Sequence, residues 1–409
     1  MSLSTRALII LTSLNLLDYL DRNLIAALGP LVQADLDLSY RSFGFLTTAF
    51  FLVYLCTSPV FGYLGDRWGR IRLMAGGAVL WSLATSLTFW VGSYPALLLA
   101  RGAVGVGEAS FGTLAPAYLA DLHPLTRRTR TLGLFYLALP VGSALGFLVG
   151  GLVGAKWGWR PAFLLAGLPG LAMAALVFCL PRVSPSERGG PGAEATSWRA
   201  ALRETWALWR IPTLRRVSLG YAMITFTLGG LNIWMPTYLQ AHKGLSLLHA
   251  NLLLCGSVAL AGGLGTVAGG FLGGRLLDYT LRAPLWISAL GVVLAIPMAA
   301  LVIFAAQPGL YVPGLVLAVF LLFLNPGVLT AVIVSVAGPW RRAQAVALNI
   351  VVIHLLGDVP SPALMGWVSD HWGLTWGVSL SLVALAVGAV MIFTALPHFR
   401  KDLADAGEI

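Results

Sequence analysis

"HPLTRRTRTLGLFYLALPVGSALGFLVGGLVGAKWGW", His123–Trp159, returns in altered form as "GPWRRAQAVALNIVVIHLLGDVPSPALMGWVSDHWGL", Gly338–Leu374. At one constant offset Pro124 falls on Pro339, Arg127 on Arg342, Gly142 on Gly357 and Gly151 on Gly366. Trp157–Gly158 then falls on Trp372–Gly373. Chance supplies one or two such matches, whereas six without a gap mark a duplication. Both copies are long apolar runs entered through a basic turn.

The composition says where such runs belong. Of 409 residues, 58% are hydrophobic and 10% charged, and the mean hydropathy is +0.84. Soluble domains carry about 25% charged residues, so this chain cannot cover a surface in water and belongs in a bilayer. The net charge of +10 does not imply nucleic acid, because the basic residues stand in short groups between apolar runs, as topology signals do. The run after Arg6 is long enough to span and no small-residue cleavage site follows a short apolar core, so it reads as a first membrane helix and not a signal peptide. Cys56, Cys179 and Cys255 lie in apolar segments without metal-like spacing and are expected to be buried packing residues.

A helix needs about 20 apolar residues to cross the hydrocarbon core. Twelve spans satisfy this, near 7–30, 43–65, 72–92, 96–120, 130–154, 160–180, 214–239, 247–275, 283–306, 311–337, 343–369 and 373–396. The fold class is therefore an all-α polytopic membrane protein of two pseudo-symmetric six-helix halves. The halves cover 1–180 and 214–397, joined by a linker at 181–213 and followed by a tail at 398–409. Within the linker "SWRAALRETWALWRI", Ser197–Ile211, spaces Trp198, Leu202, Trp206 and Trp209 as an amphipathic helix on the cytoplasmic leaflet would. Lys and Arg crowd the N-terminus, linker, C-terminus and even-to-odd loops, while the other face has only Arg41, Lys156, Arg160 and Lys243. The asymmetry predicts a multi-pass protein of the inner membrane with both termini cytoplasmic. Two parallel six-helix halves are the layout of a transporter that rocks about a central site.

The first span also holds what lipid does not tolerate, "DYLDR", with Asp18, Asp21 and Arg22 at i, i+3 and i+4 on one face. They lie about 16–23 Å along a helix starting near Ala7. Span four enters from the opposite side and carries Glu108 about 18 Å deep, with Arg101 two turns earlier on the same face. A charge at the bilayer centre costs about 2.5–3.5 kcal/mol, so the five must face one another or a wet cavity. A purely structural ion-pair lock is one reading. The other is a proton-responsive site, since burial disfavours a carboxylate and a nearby arginine favours it. In that reading Asp21 carries the coupling proton, with Glu108 as partner or relay and Asp18 on the cytoplasmic approach. Arg22 and Arg101 alternate between these carboxylates and an anionic headgroup.

Span eleven adds His354 and Asp358 at i, i+4, which read equally as a packing pair or as part of the site. Pro360 and Pro362 are expected to kink that helix. In span seven Asn232 is a candidate cavity residue, and Trp234 reads as an interface aromatic.

Between spans two and three stands "GYLGDRWGRIR", Gly62–Arg72. Gly62 and Gly65 let a helix end approach its neighbour closely, and Gly69 belongs to the same motif. Asp66 can accept from a helix N-terminus or an arginine, and Arg67 and Arg70 face the anionic lipid surface. The group is a candidate conformational latch, or a short loop that only sets topology. Its counterpart "GGFLGGRLLD" lacks the acid at Gly274, leaving Asp278.

This loop resembles the signature loop of the major facilitator superfamily, and Pro140, Gly142, Gly146, Gly150 and Gly151 resemble the glycine-rich motif common among its antiporters. "DYLDR", "PVFGYLGDRWGR", "ARGAVGVGEASFGTLAPAYLADL", "FYLALPVGSALG" and "HLLGDVPSP" are similar to the spinster family, as a bacterial member would be. The resemblance implies proton-linked movement of lysolipids and sphingoid lipids, with Asp21, Arg22, Arg101 and Glu108 at positions that matter. Asp18 departs from it, since the family more often has Asn or another neutral residue there.

The expected function is a proton-coupled secondary transporter of an amphiphilic, anionic, lysophospholipid-like or sphingoid substrate. The alternatives are a multidrug exporter or an organic-anion symporter of the same superfamily. An integral lipid-modifying enzyme is disfavoured, because no Gly-x-Ser-x-Gly, His-Glu-x-x-His, paired Cys ligands or Walker loop is present. No cofactor or metal is expected beyond the proton gradient. The expected partners are substrate, protons and membrane lipids, and the chain is expected to be a monomer.

Overall fold

The computed structural model describes residues 3–122, 131, 134–180, 206–277, 279–338 and 341–407. The side chains of Asp66 and Arg67, the arginines at 127–130, the linker up to residue 205 and Asp278 lie outside the described residues. Among the described residues every regular element is a helix. Eleven helices are long and apolar enough to cross a membrane: α1 Leu3–Ala27, α2 Tyr40–Gly62, α3 Arg70–Trp90, α5 Leu134–Trp157, α6 Trp159–Phe178, α7 Pro212–Lys243, α8 Leu247–Leu276, α9 Ala283–Phe304, α10 Pro308–Ala337, α11 Gln344–Trp372 and α12 Leu374–Asp405. Tyr94–Asp121, numbered α4, has 28 residues, about 42 Å at the helical rise, and completes the expected twelve.

The duplication is visible in the backbone. Gly158 ends α5 and starts α6 at φ 79°, and its repeat partner Gly373 does the same between α11 and α12 at φ 92°. Both positions need a left-handed residue in a one-residue turn, which glycine supplies without steric cost.

By packing the chain divides into two units, Met1–Pro191 with Asn232–Ala259, and Gly192–Leu231 with Leu260–Ile409. The first is built around a core of Leu11, Leu14, Met74, Trp81, Phe111 and Phe135. Here α5 lies directly on α1: a methyl group on Gly142 would stand 2.5 Å from the Leu16 carbonyl oxygen, and one on Gly146 2.6 Å from that of Leu20. Where α1 ends, the Asn251 side chain of α8 donates to the Ala27 carbonyl at 2.9 Å, satisfying a group the helix leaves open. At the surface Arg160 pairs with Asp35 at 2.9 Å and holds that carboxyl below its usual range.

The second unit packs around Leu214, Val217, Leu285, Leu329, Ile333, Leu385 and Ile392. Its α12 runs past the apolar stretch so that Asp402 accepts the Thr213 amide of α7 at 2.8 Å, a carboxylate on a helix N-terminus. In α11 the break comes as a π-turn over His354–Asp358. The Val359 amide reaches back to the His354 carbonyl at 2.9 Å, just before Pro360, which has no amide hydrogen to give.

The cysteines do not behave as expected: Cys56 and Cys179 are exposed and Cys255 is half-buried. In a bilayer a thiol meets an apolar environment on the outer face as well as in the core, so burial in protein does not follow from an apolar segment.

The α1–α5 contact yields a stability prediction. Gly142→Ala or Gly146→Ala is expected to cost about 1–3 kcal/mol, as overpacking does. Gly76→Ala, whose added methyl meets nothing within 4 Å, is expected to cost nothing. Thermal midpoints of the purified protein in detergent check this; equal midpoints for all three would show that the helices can part without penalty.

Candidate functional site: a buried charge cluster

Charged residues spaced i, i+3 and i+4 in α1 share a face, and α4 carries two more two turns apart; the fold turns both faces toward each other. Arg22 Nε donates to Glu108 Oε2 at 2.6 Å, and Arg22 Nη2 pairs with Asp18 Oδ2 at 3.2 Å. One guanidinium thus serves two carboxyls on different helices. Asp21 takes a different partner, accepting from Thr85 Oγ1 of α3 at 2.6 Å, with the Arg101 charge close by. Asp18, Asp21 and Arg101 are each 2% exposed and Glu108 is fully buried, while 16% of the Arg22 side chain remains accessible. Arg22 is the member through which the cluster meets open space.

Aromatic rings wall the arginines. The Arg22 guanidinium carbon lies 5.0 Å from the Tyr19 ring, 5.1 Å from Tyr54 and 5.4 Å from Phe50. That of Arg101 lies 4.9 Å from Phe50. These are cation–π distances, and the negative faces of the rings offset part of the cost of taking the cations out of water.

An amide ladder continues from the cluster. Asn23, next to Arg22, donates to Ser143 of α5 at 2.9 Å and accepts from Asn232 of α7 at 2.9 Å. Asn232 is thus tied to α1 through Asn23. Trp234, two residues further on, is no interface aromatic: it is fully buried and meets Tyr40 and Phe43 edge-on at 5.6 Å.

His354 and Asp358 contact each other, Nδ1 to Oδ2, at 2.6 Å. They belong to the second unit, beside Tyr221 and against Gly229, where a methyl group would come within 2.6 Å of Asp358 Oδ1. Of the candidate latch, Gly65 abuts Leu114 and Gly69 turns at φ 91° between α2 and α3, with Arg70 opening α3. Gly62 has only ordinary contact with Thr113. Among the described residues no group of His, Cys, Asp and Glu is gathered as a metal site.

Sequence reasoning missed Thr85, Tyr19, Phe50, Tyr54, Asn23 and Ser143. Hydroxyls and aromatics are ordinary within spans, so only the known position of Arg22 would have drawn attention to them.

The fold and site together define a class, a polytopic helical transporter. The profile of the Major Facilitator Superfamily matches residues 11–357. Protein spinster homolog 1 of Homo sapiens is 35% identical over 398 residues, 90% of this chain and 73% of the relative. Sphingosine-1-phosphate transporter SPNS2 of Mus musculus is 32% identical over 433 residues, 96% and 77% respectively. The chain belongs to the spinster family of the major facilitator superfamily, a family of transporters and not of enzymes. The fold agrees: a bacterial homolog of the human lysosomal transporter Spinster, inward-facing and unoccupied, superposes with a TM-score of 0.88 at 23% identity over 98% of each chain. A D-xylose-proton symporter does so at 0.77 and 18%, over 98% and 99%.

Because Arg22 serves two buried carboxyls, removing it strands both. Arg22→Met is expected to cost about 3–5 kcal/mol at neutral pH. The loss should shrink as pH falls, because protonation neutralises the stranded groups. Melting curves across pH for wild type and variant check this; a gap that does not change with pH would contradict it.

Proposed function

We propose that the chain is a proton-coupled transporter of an amphiphile with an anionic headgroup, of the lysophospholipid or sphingoid type, working by alternating access. The observation that carries the reading is the position of Arg22, the accessible cation of a cluster otherwise sealed at membrane depth. A phosphate or carboxylate headgroup suits its fork. Taking that headgroup adds a negative charge to the cluster and draws the guanidinium from Asp18 and Glu108, which makes a further proton on the cluster's carboxylates, Asp21 included, more favourable. Anion and proton are thereby linked through one side chain. Asp21, held by Thr85 and facing Arg101, is the carboxylate with its own counter-charge and carries the coupling proton. Arg101 waits as the second cation, and Asn232 and the His354–Asp358 pair contribute polar groups to the pathway. A relative named for sphingosine-1-phosphate transport, a phosphate-headed amphiphile, supports the substrate class.

The rest of the reading follows from the charge pattern. In this reading both termini lie on the cytoplasmic side of the inner membrane, an orientation that the basic loops favour. The Gly62–Arg70 loop, with Asp66 and Arg67, acts as a latch, and the working unit is a monomer without a resident cofactor.

Flux of a labelled lysolipid into proteoliposomes, with and without a proton gradient, tests the proposal. The expected result is gradient-driven flux that falls to the leak of protein-free vesicles in Asp21→Asn and Glu108→Gln. Flux indifferent to the gradient would remove the coupling. Folded protein that moves small organic anions but no lysolipid would replace the substrate class.

A further inference from the structure

Counting charges in the cluster leaves one unmatched. Asp18, Asp21 and Glu108 face Arg22 and Arg101, three acids against two permanent cations. Asp21 has a hydroxyl donor in Thr85 and feels the Arg101 charge without an ion pair to it. Asp18 and Glu108 must divide Arg22 between them. Each keeps one further oxygen, Asp18 Oδ1 and Glu108 Oε1, that is buried and receives no N–H or O–H donor. The two carboxyls take the Nε and Nη2 nitrogens of one guanidinium, Glu108 at 2.6 Å and Asp18 at 3.2 Å. The titratable groups around them are Arg22, Asp21 and Tyr19 of α1, Tyr54 of α2, Arg101 of α4 and Tyr136 of α5. The guanidinium of Arg22 is already committed to both acids, and the Tyr54 ring lies 5.1 Å from that same guanidinium.

A buried pair of carboxylates that shares one counter-charge cannot both stay ionised at low cost. We infer that Asp18 and Glu108 share one resident proton, which makes the cluster neutral at rest and leaves Asp21 as the carboxylate free to exchange a proton. The balance is direct. With the shared proton the pair carries one negative charge, Asp21 carries one, and the two arginines cancel them. An arriving monoanionic headgroup adds one negative charge, and a proton on Asp21 restores neutrality. Asp18 is the residue that sets this count, because with a neutral side chain there Glu108 would have Arg22 to itself and no resident proton would be needed, whereas a neutral residue at 21 leaves Asp18 and Glu108 dividing Arg22 as before. The inference deepens the proton-coupled reading above and rests on it only for the role of Asp21.

Infrared spectroscopy of the full chain in proteoliposomes at neutral pH tests it by the C=O stretch of a neutral carboxylic acid. Wild type and Asp21→Asn should show the band, and Asp18→Asn and Glu108→Gln should each lack it. Asp18→Glu should keep it, shifted, which guards against mistaking a misfolded variant for a lost proton. A band that survives both Asp18→Asn and Glu108→Gln, that is lost in Asp21→Asn, or that is missing from wild type would overturn the shared proton. If the band follows the expected pattern while lysolipid flux ignores the gradient, the shared proton stands and the coupling reading fails.

Discussion

One guanidinium held between two acids on different helices organises the first unit. Arg22 cannot sit at membrane depth unless Asp18 and Glu108 come to it, and they cannot sit there without it. This fixes α1 against α4 at one level. It also demands that neighbours crowd in to exclude lipid, which the aromatic walls of Tyr19, Phe50 and Tyr54 do. The glycines of α5 complete the arrangement by letting its backbone press on the other side of α1. Buried ion pairs contribute little net stability compared with apolar packing, so a cluster of this size points to use and not to mere holding.

The two halves kept a common plan and divided the chemistry. Each has the one-residue glycine turn after a tryptophan, at Gly158 and Gly373. The charged residues did not stay in step. The described part of the first unit carries the three acids and two arginines at depth, whereas the π-turn of α11 sets His354 against Asp358. Duplication supplied the scaffold, and divergence placed the titrating groups on one side of it.

Much of this was legible in the sequence, for a physical reason: a charge inside an apolar run is conspicuous, and helical spacing says which charges share a face. The twelve spans and the meeting of α1 with α4 follow from run lengths and depths alone. Thr85 was not legible, because a threonine in a span has the same appearance whether it donates to an aspartate or to its own helix. Trp234 was misjudged since its surroundings come from Tyr40 and Phe43, far away in the chain. Pro360 correctly marked a break in α11, but the backbone absorbs it upstream through the His354 carbonyl, in a form that no residue type announces. Exposure of the cysteines was equally hidden, as lipid and protein interior select for the same apolar segments.

That upstream break has a consequence for phase. A π-turn holds one residue more than an α-turn, so each side chain beyond it is carried about 100° around the helix axis. Ser361, Pro362, Met365 and Ser369 lie inward after the turn, whereas Leu364 points outward. An uninterrupted helix drawn through α11 would therefore assign the inner and outer stripes of its second half to the wrong residues. Evolution can exchange those stripes by moving, inserting or losing a single residue at His354–Asp358, without altering any side chain further along.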